Sequence, residues 1–72
     1  MSGFDVDAFI ARFGSRAAAV RERGIPPLEG EARRKYIAAA EEDYTDYSLI
    51  ANAAWAIEGG RLVLRIPLAS QD

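Results

Sequence analysis

Gly59-Gly60 stands between two apolar runs, Trp55-Ala56-Ile57 and Leu62-Val63-Leu64, and this placement leaves the chain few alternatives. The favoured two-residue hairpin turn needs positive φ at both central positions, which glycine adopts without steric cost. A turn centred there pairs Glu58 with Arg61, Ile57 with Leu62, Trp55 with Leu64 and Ala53 with Ile66. Cross-strand partners share a face. One face of the ribbon is therefore wholly apolar, and the pair beside the turn is opposite in charge. An isolated two-stranded hairpin is marginal in water, so the ribbon has to lie on something.

The first part of the chain reads as helix. Val6, Phe9, Ile10, Phe13, Ala17 and Val20 recur at steps of three and four, an amphipathic stripe. Asp5 is a suitable N-cap, and Phe4 before it is placed to staple onto Phe9. Asp7 in the first turn and Arg21 and Arg23 in the last suit the helix dipole, with Gly24 as a C′ residue. Helix one is predicted over about 5–23. Ile25-Pro26-Pro27-Leu28 cannot continue it, so residues 25–29 form a stiff connector.

Helix two is predicted over about 30–48, carrying Tyr36, Ile37, Ala40, Tyr44 and Tyr47. Its end is ambiguous. Leu49, Ala51, Ala53, Trp55 and Ile57 alternate like a strand, yet Ala51 to Ala56 also suits a helix. The hairpin register favours a β-hairpin over about 50–67. The alternative runs helix two to Ile57 with Gly59 as its cap, leaving a single strand from Arg61 to Ile66. Pro67 lacks an N–H and ends the ladder or marks an edge, and Ser70-Gln71-Asp72 reads as a tail. The expected fold class is α+β: residues 1–72 form one small domain, a two-helix hairpin packed on a two-stranded antiparallel β-hairpin in the order ααββ. The free edges of so short a sheet suggest extension across a dimer.

Composition narrows the chemistry. The chain has 72 residues, half of them hydrophobic, with no histidine and no cysteine. That removes disulfides, thiolate metal sites, cysteine nucleophiles and the usual general base near neutral pH. Serine–histidine catalysis is excluded within the chain, and no phosphate-binding glycine loop or metalloprotease pattern is present. An autonomous enzyme is not expected, and no cofactor is implied. No apolar run approaches membrane-span length, and Met1-Ser2-Gly3-Phe4-Asp5 lacks a basic leader. A reducing, cytoplasmic setting fits these features.

Three groups of residues are candidates for function. The apolar ribbon residues Trp55, Ile57, Leu62, Val63, Leu64 and Ile66 form a candidate interface. Arg21, Arg23, Arg33, Arg34 and Lys35 cluster around the connector and make a candidate anion or nucleic-acid patch, although Glu22, Glu29 and Glu31 lie among them. Glu42, Asp43 and Asp46 share a helix face and are candidate ligands for a hard divalent cation. Antiparallel helices would also bring Arg12 and Arg16 level with Glu41 and Glu42, giving ion pairs between the helices. The favoured reading is a small interaction module, acting as a homodimer or as an accessory subunit of a larger enzyme. A nucleic-acid-associated regulator and a metal-dependent subunit are the alternatives.

Overall fold

The computed structural model describes residues 3–68; the expected tail at Ser70-Gln71-Asp72 lies outside them. Two helices are followed by a two-stranded antiparallel hairpin: α1 (Val6–Glu22), α2 (Gly30–Ala51), β1 (Ala54–Glu58) and β2 (Arg61–Arg65).

Helix α1 begins as its sequence requires. Asp5 is extended and its Oδ1 accepts a hydrogen bond from the Ala8 N–H at 3.0 Å, satisfying one of the free donors of the first turn. Phe4 packs on Phe9 with ring centroids 5.3 Å apart. The stacking continues from Phe9 to Phe13 at 5.1 Å and from Phe13 to Tyr47 of α2 at 5.9 Å. This tilted and edge-to-face row ties the first half of α1 to the second half of α2. At the other end Gly24 is not in the left-handed conformation expected of a C′ glycine. The Arg23 N–H closes α1 on the Ala19 carbonyl at 3.0 Å. The Gly24 carbonyl accepts the Tyr36 hydroxyl at 3.2 Å, linking connector to α2.

Helix α2 extends three residues beyond the sequence-based boundary, to Ala51. Asn52 accounts for the extension. Its backbone N–H and its side-chain amide both donate to the Ser48 carbonyl, at 3.0 and 2.9 Å, covering an end that would otherwise be open. Only Asn52 and Ala53 separate α2 from β1. The hairpin then follows the predicted register, from Ala54 opposite Arg65 to Glu58 opposite Arg61. Gly59 and Gly60 have φ of 57° and 75°, the signature of a type I′ turn.

Packing is concentrated in the helix pair. Among the described residues Val6, Ala17 and Val20 of α1 are the buried hydrophobic ones, and no large side chain is fully buried. Gly14 brings α1 close to α2; a Cβ there would stand 3.8 Å from that of Ala51. Extended contact joins α1 to α2 and β1 to β2, but neither helix lies along either strand. The ribbon therefore continues from the end of α2 instead of being blanketed by the helices, which spend their apolar stripes on each other. The molecule measures 49 × 36 × 16 Å. Its radius of gyration is 15.8 Å, against about 11 Å for a compact chain of this length.

Candidate interaction surface

The ribbon's two faces follow from its register. One carries Ala54, Ala56, Glu58, Arg61, Val63 and Arg65. There the Arg65 guanidinium reaches Glu58 at 3.5 Å, running diagonally past the Ala56–Val63 pair. The opposite face carries the Trp55–Leu64 and Ile57–Leu62 pairs, with Ile66 continuing it beyond the strand. It has no charged member. Leu62, Val63 and Leu64 are half-buried, whereas Trp55 is 40% exposed, Ile57 57% and Ile66 36%. The candidate interface thus divides: Val63 lies on the face that Arg65 and Glu58 flank, and the other five form or extend one apolar strip.

The chain exposes 5576 Å², about 1,200 Å² more than the roughly 4,400 Å² expected for a folded monomer of its mass. A standard protein interface takes about 800 Å² from each partner. The excess is total surface spread over an elongated chain, to which exposed Phe4, Ile25 and Leu68 contribute as well as Trp55, Ile57 and Ile66.

The basic candidates do not converge on one point. Arg21 lies over the Tyr44 ring at 3.8 Å, a cation–π stack that holds it against α2. Arg34 pairs with Glu31 at 2.9 Å in an exposed bridge within the helix. Arg21 and Arg23 line an open groove of about 580 Å³ with Val20, Ile25, Tyr36 and Ile37, whereas Arg33 and Lys35 lie outside it. The groove also carries Glu41, so its lining is mixed in charge.

Glu42 and Asp43 are adjacent on α2 and Asp46 lies about one turn further on, with Glu42 and Asp46 exposed and Asp43 half-buried. Among the described residues no three acidic side chains are arranged to hold a metal ion. The ion pairs expected from Arg12 and Arg16 to Glu41 and Glu42 are not formed; the bridges among the described residues are Arg34–Glu31 and Arg65–Glu58. The reason is axial level. Phe13 meets Tyr47 and Gly14 meets Ala51, so this part of α1 faces the last turns of α2, beyond Glu41 and Glu42. Arg12 and Arg16 instead lie over the rings of Phe9 and Phe13, at 5.9 and 5.0 Å. Those stacks were legible only as arginine three residues after an aromatic on one helix, a spacing that also permits many other contacts.

No helix among the described residues is long and apolar enough to cross a membrane. Compared with protein-family models, with curated proteins and with solved structures, the chain gives no match.

Proposed function

We propose that this chain is a small cytoplasmic protein–protein interaction module whose working surface is the apolar face of the ribbon, Trp55, Ile57, Leu62, Leu64 and Ile66. The observation that carries the reading is the combination of an ordered hairpin with an uncovered apolar face. A two-stranded ribbon does not hold its shape in water without a surface to lie on, and here the chain's own helices do not supply it. Trp55 and the aliphatic residues around it have the composition of an interface centre, while Glu58, Arg61 and Arg65 lie on the ribbon's other face. The partner is a second copy or a larger protein to which the chain is an accessory subunit. The basic and acidic groups lack a comparable focus: the first is partly engaged with Tyr44 and Glu31, and the second does not converge.

Ile57→Asp tests the reading. Ile57 is exposed, so the charge leaves the helices intact while disrupting any surface that covers the strip. The expected result is loss of self-association in light scattering, or loss of partners captured from the native host, with unchanged helical circular dichroism. Identical mass and identical captured proteins for the wild type and Ile57→Asp would refute it.

A further inference from the structure

We propose that β2 pairs antiparallel with β2 of a second copy, producing a four-stranded sheet in the order β1-β2-β2-β1 with Leu64 on the two-fold axis. This rests on the ribbon being the interaction surface, and adds the partner, the edge and the register.

The edge follows from the turn. In a two-residue hairpin the residues flanking the turn, Glu58 and Arg61, form a hydrogen-bonded pair, and such pairs alternate along the ladder. Arg61, Val63 and Arg65 therefore direct their backbone groups toward β1. Leu62, Leu64 and Ile66 direct theirs outward, with no backbone partner among the described residues. Pro67, which has no N–H, falls in the inward row and leaves the outer row of donors whole. Only Asn52 and Ala53 separate β1 from α2, so a strand pairing along β1 has little extended chain before Ala54 to continue onto. Beyond β2 the described chain carries no further helix or strand before Leu68.

Charge selects the register. With Leu64 opposite the partner's Leu64, Leu62 meets the partner's Ile66 and Arg65 meets the partner's Val63; no like charges face one another. A shift of two residues one way sets Arg61 opposite the partner's Arg65, twice by symmetry. A shift the other way sets Arg65 opposite the partner's Arg65. Directly opposed like charges destabilise a sheet, and a shift of one residue would turn the apolar set to the wrong face. In the selected register the two apolar strips join into one face on one side of the sheet. Three or more strands with an apolar face come closer to an independently stable sheet than two do, and edge pairing leaves the joined apolar face open.

The chain has no cysteine, so introduced thiols report the register directly. Across a hydrogen-bonded antiparallel pair the Cα atoms stand about 5.5 Å apart, within disulfide range. The full chain is to be measured by light scattering from micromolar to hundreds of micromolar, and the variants Leu64→Cys, Leu62→Cys and Ile57→Cys oxidised in parallel. The expected result is a mass twice the 7.9 kDa of one chain, with Leu64→Cys crosslinking roughly tenfold faster than either other variant. An equimolar mixture of Leu62→Cys and Ile66→Cys should also crosslink faster than each variant alone, which supplies a reading if Leu64→Cys fails to fold. A dimer in which Ile57→Cys crosslinks fastest would overturn the edge and register but keep the ribbon as the interface. A monomer at every concentration would overturn self-pairing altogether, and the ribbon would then stand or fall on partner capture by wild type and Ile57→Asp.

Discussion

In the helix pair, Val6, Ala17 and Val20 are buried and the ring row from Phe4 to Tyr47 crosses from one helix to the other. In the ribbon, no residue from Ala54 to Arg65 is buried, although every position from Ala54 to Glu58 has a defined partner. The two regions are ordered by different means. The helices are held by packing between side chains distant in sequence, while the ribbon takes its form from backbone conformation at two glycines and from cross-strand neighbours. Local order and burial are thus separable. A segment can be fully specified in register and still have no buried residue, and that gap is what the proposed association would fill.

The largest expected effect falls on the packed region. Phe13 touches Phe9, Tyr47 and the Arg16 guanidinium and is half-buried. Phe13→Ala should cost about 2 kcal/mol, below the range for a fully buried ring. Urea unfolding followed by far-ultraviolet circular dichroism should show the helix midpoint fall, while Trp55 fluorescence, which reports the ribbon, keeps its own midpoint. If both signals fall together by the same amount, helices and ribbon are one cooperative unit and the contrast between them is wrong.

A smaller change should act on the ribbon alone. Gly60 has φ of 75° and open space where a Cβ would go, so Gly60→Ala introduces backbone strain without a clash. The left-handed conformation costs an alanine about 1 kcal/mol. Cross-strand nuclear Overhauser contacts between Trp55 and Leu64 should weaken, with the helix midpoint unmoved. Full retention of those contacts would mean that the ribbon is stabilised by far more than its turn.

Sequence reading succeeds here where the determinants are local. The Asp5 cap, the Phe4–Phe9 staple and the Gly59-Gly60 register each involve residues within a few positions of one another. The end of α2 was harder, because Leu49 to Ile57 fits both periods. The missing signal was Asn52, a common residue at helix ends, whose two hydrogen bonds to Ser48 decide the outcome. What the sequence could not carry was the relative level of the helices, which separates Arg12 and Arg16 from Glu41 and Glu42, and the placement of the ribbon beside the helices. Both depend on how apolar faces are shared between distant segments. The candidate interface is nameable residue by residue and its division into two faces follows from the register; only the structure shows the Arg65–Glu58 contact across the Val63 face.

That contact supplies the smallest expected effect on stability and the sharpest probe of register. Arg65 and Glu58 are 3.5 Å apart and mostly solvent-exposed, so Arg65→Ala should change stability by less than about 0.5 kcal/mol. Its consequence in the paired sheet is larger. The register with Val63 opposite the partner's Val63 is opposed by the approach of Arg61 to the partner's Arg65, and Arg65→Ala removes that repulsion. Disulfide formation by Val63→Cys should therefore be slow in the otherwise native chain and faster in the Arg65→Ala background, at unchanged unfolding midpoint. Equal rates in the two backgrounds would show that charge does not set the register; the selection would then have to come from the packing of Leu62, Leu64 and Ile66 across the edge.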